Sequence, residues 1–125
     1  MKANKFIRCG VHLPVKSLSE TLDFYREKLG FSQEWTFGTR DGGIQRDEMR
    51  LLFAEDPEFA KDINNQNHRL PLMWFVDNID EIFHELKGRN IEIADHLRIH
   101  PYNLREFAFI DLNGYYIRVA EGKEN

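Results

Sequence analysis

Val15-Lys16-Ser17-Leu18, followed by Leu22 and Tyr25, returns 61 residues later as Val76-Asp77-Asn78-Ile79, followed by Phe83 and Leu86. In both copies the end of an apolar strand meets a short polar turn, and then a helix whose apolar residues fall on one face. A unit repeated once within 125 residues predicts two similar half-domains folded as one domain around a shared cleft.

Working outward, Ile7, Cys9, Val11, Leu13 and Val15 alternate with other residues, which predicts a half-buried first strand over 6–14. Ser17 or Ser19 caps the helix that follows, and Glu20 completes a capping box with Ser17. Leu18, Leu22, Tyr25 and Leu29 form its apolar stripe, and Gly30 ends it. Further strands are expected around 31–38, 43–47 and 49–54, with Asp41-Gly42-Gly43 as the turn between the first two. A polar connector of about 55–69, with Pro57 opening a short helical turn, separates a first module of about 6–54 from a second of about 70–121. The second module is read as a strand over 70–76, then a helix carrying Ile79, Ile82, Phe83 and Leu86 and stopped at Gly88-Arg89-Asn90. A short strand at 91–93 and an irregular stretch at 94–103 follow. Strands 106–111 and 115–120 then close the chain across a two-residue Asn113-Gly114 turn.

Composition narrows the function classes. A chain 42% hydrophobic and 13% aromatic supports a packed core rather than disorder. A net charge of -4 with interspersed signs lacks the basic footprint of a nucleic-acid binder. No apolar run approaches the roughly 18 residues of a membrane span, so a soluble cytoplasmic protein is expected. Cys9 is the single cysteine, which rules out an intrachain disulfide; strand parity places it on the helix side, buried and inert.

Leu13-Pro14-Val15-Lys16-Ser17-Leu18, Phe24-Tyr25-Arg26-Glu27-Lys28-Leu29-Gly30-Phe31, Phe75-Val76-Asp77-Asn78-Ile79-Asp80 and Asp111-Leu112-Asn113-Gly114-Tyr115 together resemble the vicinal-oxygen-chelate superfamily of glyoxalases, extradiol dioxygenases and bleomycin resistance proteins. The resemblance spans residues 6–121 and implies an α+β fold of two βαβββ modules. It also implies a homodimer whose cavities lie wholly or partly across the subunit interface. Metal-dependent members place His or Glu at four strand positions, where the ion keeps open sites for substrate oxygens. By that pattern the positions fall here on Gly10, near Met49 to Leu51, on Pro71 and on Arg118. None of these is a hard-metal ligand, so no metal and no other cofactor is expected. His96 and His100 lie four apart, but on extended chain they span roughly 13 Å and cannot share an ion; both are read as exposed loop residues. His84 is read as a solvated helix position, and His68 reaches a ligand position only through a register slip.

Strand parity then lists the candidates for a cavity: Gly10 and His12, Met73 and Phe75, Tyr116 and Arg118, with Met49, Leu51 and Phe53 contributing if parity allows. Trp35, Phe37 and Tyr102 would rim it. Glu106, in the run Pro101-Tyr102-Asn103-Leu104-Arg105-Glu106-Phe107, either pairs with Arg118 or Arg105 or acts as a base or cation receptor. The ligand-binding set is therefore His12, Phe53, Met73, Phe75, Tyr102, Glu106, Tyr116 and Arg118, with His12 and Glu106 as the candidates for any catalysis. An apolar, aromatic cleft with one cation and one imidazole suits an amphipathic small molecule with a polar or negative handle. The leading expectation is a metal-independent binding protein of the bleomycin-resistance type, with no nucleic-acid or membrane partner. The alternatives are a lyase or isomerase of the glyoxalase kind and a partner-binding module with a vestigial cavity.

Overall fold

The computed structural model describes residues 4–122. The elements run β1 (His12–Val15), α1 (Leu18–Leu29), β2 (Ser32–Phe37), β3 (Asp41–Arg46), β4 (Met49–Glu55), α2 (Pro57–Ile63), β5 (Pro71–Val76), α3 (Ile79–Gly88), β6 (Glu92–Ile99), β7 (Arg105–Ile110) and β8 (Tyr116–Glu121). They form two four-stranded sheets of the same topology, β1-β4-β3-β2 and β5-β8-β7-β6. In each sheet the first strand pairs in parallel with the last, and the other pairs are antiparallel. The fold is thus α+β, two βαβββ modules joined through α2.

Local chemistry explains the elements. The Ser17 hydroxyl accepts from the Glu20 N–H at 3.3 Å and caps α1, while Gly30, at φ 72°, ends it in the left-handed region. Asn78 caps α3 in the same way through the Glu81 N–H. Each helix lays its stripe on one face of its own sheet. Val15, Ile44 and Phe53 lie beneath α1, and Phe107, Ile117 and Val119 lie beneath α3, all fully buried. Trp74 links the two layers, with its ring 5.8 Å from Phe31, 6.4 Å from Tyr25 and 5.5 Å from Phe109. Arg46 adds a bidentate bond to Glu85 (2.8 and 2.9 Å) that ties β3 to α3.

Three expectations are corrected. The first strand begins at His12, and residues 4–11 carry no regular structure, with Phe6, Ile7 and Val11 exposed. Cys9 is exposed as well. Alternation alone gave this stretch a strand pattern, but only residues 12–15 pair with β4. Secondly, Asp41-Gly42-Gly43 lies inside β3, and the turn is 38–40, with Gly38 at φ 65°. The glycines serve close approach: a Cβ on Gly43 would lie 2.7 Å from both Leu51 O and Trp35 Nε1, and one on Gly42 2.8 Å from Trp35 O. Thirdly, Asn113-Gly114 is part of a five-residue connection rather than a two-residue turn, because the Asp111 side chain winds the chain around itself.

That connection joins the modules. Asp111 is 5% exposed, and its carboxylate accepts from Tyr25 Oη (2.7 Å), from the Asn113 N–H (2.8 Å) and from the Tyr115 N–H (3.0 Å). Asn113 accepts from the Lys16 N–H (2.9 Å) and donates to Thr21 Oγ1 (3.2 Å), and the Tyr115 hydroxyl donates to the Pro14 carbonyl (2.7 Å). Burial pushes the Asp111 carboxyl up, against the pull of these hydrogen bonds, and burial beside Asp111 pushes the Tyr25 hydroxyl well up. Replacing Asp111 by Ala strands three buried donors at about 1 kcal/mol or more each. Asp111→Ala is expected to lower the urea-unfolding free energy by about 3 kcal/mol, and Tyr25→Phe by about 1 kcal/mol; equal, near-zero effects would contradict this role for the turn.

Candidate functional site

The face of the second sheet turned away from α3 gathers most of the candidates. Along β8, Tyr116 and Arg118 alternate with the buried Ile117 and Val119, and they register with Pro71 and Met73 of β5. Glu106 of β7 approaches from the other side of β8. Phe75, two residues beyond Met73, is 58% exposed. The tight 100–104 turn, closed by His100 N–H to Leu104 O and Asn103 N–H to His100 O with Asn103 at φ 65°, folds Tyr102 back over Glu106.

Arg118, Glu106 and Tyr102 form a closed group. Arg118 Nε donates to Glu106 Oε2 at 2.6 Å, and its Nη2 donates to Glu106 Oε1 at 2.9 Å and to Tyr102 Oη at 2.7 Å. Tyr102 Oη donates to Glu106 Oε1, and its ring stacks 5.7 Å from the guanidinium. Glu106 is 3% exposed, so this pairing meets the need of a buried carboxylate for partners. Burial pushes the Glu106 carboxyl up, but bonds from Arg118 and Tyr102 outweigh it and hold the group below the usual 4.5. Of the two roles open to Glu106 from sequence, the geometry is that of an ion pair with Arg118; Arg105 instead bonds Asp80 at 2.7 and 2.8 Å.

His100 departs from expectation. Its side chain is 10% exposed, stacked 5.4 Å from the Tyr102 ring, with Nε2 3.8 Å from the Asp95 carboxylate and without a hydrogen-bond partner among the described residues. The turn that positions Tyr102 also draws it in. His96, His84 and His68 are exposed, the last with Nε2 3.1 Å from Asn65 Nδ2.

The remaining candidates lie elsewhere. Phe53 is 1% exposed and packs 5.2 Å from Tyr25 on the helix side of the first sheet; Met49 and Leu51 share that side. Phe53 is therefore a core residue, because its β1 partner Leu13 faces α1. His12 is exposed on the opposite face of that sheet, paired with Leu52, far in topology from β8. Trp35, also on the first sheet, carries the Arg50 guanidinium 5.4 Å from its ring, and Phe37 is 76% exposed. Between the modules a cleft of about 870 Å³ runs along β5, lined by Phe31, Met49, Met73, Trp74 and Phe75 and also by the charged Arg46, Asp47, Glu48 and Asp77. As an edge strand, β5 lets Met73 and Phe75 border both the cleft and the open face.

Register sharpens the metal question. Met73 pairs with Arg118 in the second sheet, and His12, 61 residues earlier, pairs with Leu52. The position matching Arg118 is therefore Leu52, one residue past the stretch expected from sequence. Gly10, Leu52, Pro71 and Arg118 offer no donor set for a divalent ion, and no cluster of three or more His, Cys, Asp or Glu suited to a metal occurs among the described residues.

Sequence reasoning passed over Arg69. Its guanidinium lies 6.0 Å from the Tyr116 ring, and its backbone is held by a bridge to Asn64. Carrying the Met73–Pro71 parity two residues back would have placed it on the open face.

Two parallel-crossover modules of this kind, with helices on one side of each sheet and exposed aromatics on the other, define a class of paired βαβββ proteins. A sequence profile of the Glyoxalase/Bleomycin resistance protein/Dioxygenase superfamily matches residues 7–119, and the chain belongs to that superfamily. No curated protein matches at the sequence level. Among solved structures, the bleomycin resistance determinant encoded on transposon Tn5 is similar, with a TM-score of 0.79 at 17% identity, over 95% of this chain and 100% of that one. The bleomycin-binding protein from Streptomyces verticillus, complexed with copper(II)-bleomycin, gives 0.76 at 20% identity over 97% and 100%. A protein of unknown function from Agrobacterium tumefaciens gives 0.71 at 18% over 98% of each chain. At these identities the likeness concerns the fold.

The lowered Glu106 carboxyl fixes a sign: its stabilisation is complete above about pH 4.5 and is lost as pH falls through the lower folded value. Glu106→Gln is expected to cost about 2 kcal/mol at neutral pH, tempered because Arg118 is 35% exposed. The variant's stability should also fall less between pH 5 and 3 than the parent's, read by urea unfolding across that range.

Proposed function

We propose that this protein is a metal-independent small-molecule binding protein, resembling the bleomycin resistance proteins, that holds an amphipathic ligand. The ligand's apolar body lies along β5, against Met73, Phe75 and Tyr116, and Tyr102 closes one end. The observation that carries this reading is an uncovered aromatic face built around a self-neutralised ion pair. Phe75 and Tyr102 are 58% and 49% exposed, although the protein has an ample core. Arg118, Glu106 and Tyr102 satisfy one another, so they shape the site rather than move protons. The solved bleomycin-binding relatives support small-molecule binding as the class of activity.

A second copy of the chain completes the site. The open face of one sheet carries Met73, Phe75 and Tyr116, that of the other His12, Trp35 and Leu52, and each is one wall of a cavity. A homodimer in which two such walls meet encloses the ligand and buries the exposed apolar residues. The partners are thus a small molecule and a second copy, with no nucleic acid or membrane; the working location is the cytoplasm. Among the described residues no helix is long and apolar enough to cross a membrane.

The test combines mass and metal content. Light scattering after size exclusion should give twice the 14.9 kDa chain mass. Incubation with Ni, Zn, Fe and Mn followed by desalting should leave near-zero metal by elemental analysis. One retained ion per chain would overturn the metal-independent reading and favour an enzyme; a monomer would leave the cavity with one wall.

A further inference from the structure

The open face of the second sheet carries an uneven charge pattern that specifies its ligand further. Four arginines lie on or beside that sheet: Arg69, Arg98, Arg105 and Arg118. Arg98 pairs with Asp95 at 3.2 Å, Arg105 with Asp80 at 2.7 Å and Arg118 with Glu106 at 2.6 Å. Arg69 enters no ion pair among the described residues. In a chain of net charge -4, a lone guanidinium among three paired ones has an unmet electrostatic preference.

Its setting is ordered. The Asn64–Arg69 bridge and the bond from Leu70 N–H to Ile63 O (2.9 Å) hold the backbone where it enters β5. The guanidinium lies over Tyr116, whose ring stands beside Pro71 on the face that also carries Met73. A guanidinium resting on an aromatic keeps its donors free at the edge of its plane, where a carboxylate accepts two hydrogen bonds. The other end of the face differs. There Asp95 and Glu106 surround His100 and Tyr102, and Arg118 is already neutralised. An anionic group is therefore favoured at the Arg69 end and disfavoured at the Tyr102 end.

Building on the binding reading above, we infer that Arg69 is the anion-recognition residue of this site, and that the ligand class is a flat aromatic or apolar molecule bearing a carboxylate or similar acid. The acid meets the Arg69 guanidinium; the flat body runs over Tyr116, Met73 and Phe75 toward Tyr102. The polar anchor is thus Arg69, which precedes β5, rather than Arg118, where strand parity put it.

The experiment titrates full-length protein with three naphthalene probes, 1-naphthoate, 1-naphthamide and 1-naphthylmethylammonium, by isothermal calorimetry. The parent should bind naphthoate about tenfold more tightly than naphthamide, with the ammonium weakest. Arg69→Gln should abolish that preference while retaining naphthamide binding, and Arg69→Lys should keep part of it. Arg26→Gln, on α1 and paired there with Asp23 and Glu34 away from the open face of either sheet, should leave it unchanged, and urea midpoints near the parent's confirm that the variants fold. Equal binding of naphthoate and naphthamide, or a preference that survives Arg69→Gln, overturns the role of Arg69 and leaves the binding reading standing. Tightest binding of the ammonium overturns the anionic ligand class in the same way. No binding of any probe removes the binding reading, and this inference with it.

Discussion

The Asp111 carboxylate is the constraint on which the rest of the structure depends. It sits in the β7–β8 connection of the second module and takes the Tyr25 hydroxyl from α1 of the first. Two of its other bonds fold its own turn, so that Asn113 and Tyr115 reach back to Lys16, Thr21 and Pro14. A buried charge of this kind is costly unless fully hydrogen-bonded, and here each bond also fixes the position of one module against the other. The Trp74 contacts and the Arg46–Glu85 bridge then act on surfaces already brought together. Removing the carboxylate would leave the shared core and the Arg46–Glu85 pair as the remaining ties between the modules.

What the sequence revealed was what depends on periodicity and caps. The stripe Leu18, Leu22, Tyr25, Leu29 with Ser17 before it and Gly30 after it forms the helix it encodes, as does Ile79, Phe83, Leu86 behind Asn78. Parity placed Met73, Phe75, Tyr116 and Arg118 on one face, because β5 and β8 are regular and paired in register. It misplaced what depends on long-range partners. Ile7, Cys9 and Val11 alternate like a strand, yet the chain pairs with β4 only from His12 onward, although β4 itself begins at Met49. Phe53 is aromatic and close to candidate positions, but its face is set by pairing with Leu13, which the pattern around Leu52 obscured. Gly42 and Gly43 look like turn residues from composition, and only the packing of Leu18 and Trp35 against them reveals them as space-makers within a strand.

The second sheet shows how a charged residue on an apolar face changes meaning once its partners are known. Arg118 in isolation reads as a hook for an anion. With Glu106 and Tyr102 bound to it, its charge is paired within the sheet face. The same closed group occupies a position where metal-binding relatives are expected to supply a ligand, and this chain presents a paired guanidinium there instead. His100, drawn beside Tyr102 by the 100–104 turn, extends this cluster toward β6.

The bond from Tyr115 to the Pro14 carbonyl bears on a different property, resistance to aggregation. β1 is an edge strand only four residues long, and an edge normally offers unpaired amide groups on which a foreign strand can grow. Backbone groups alternate in direction along a strand, so those of Pro14 point outward with its carbonyl. Proline has no N–H to offer, and that carbonyl is already engaged. Only His12 keeps outward groups, too few to template a new strand. A residue belonging to the second module thus blunts one exposed margin of the first.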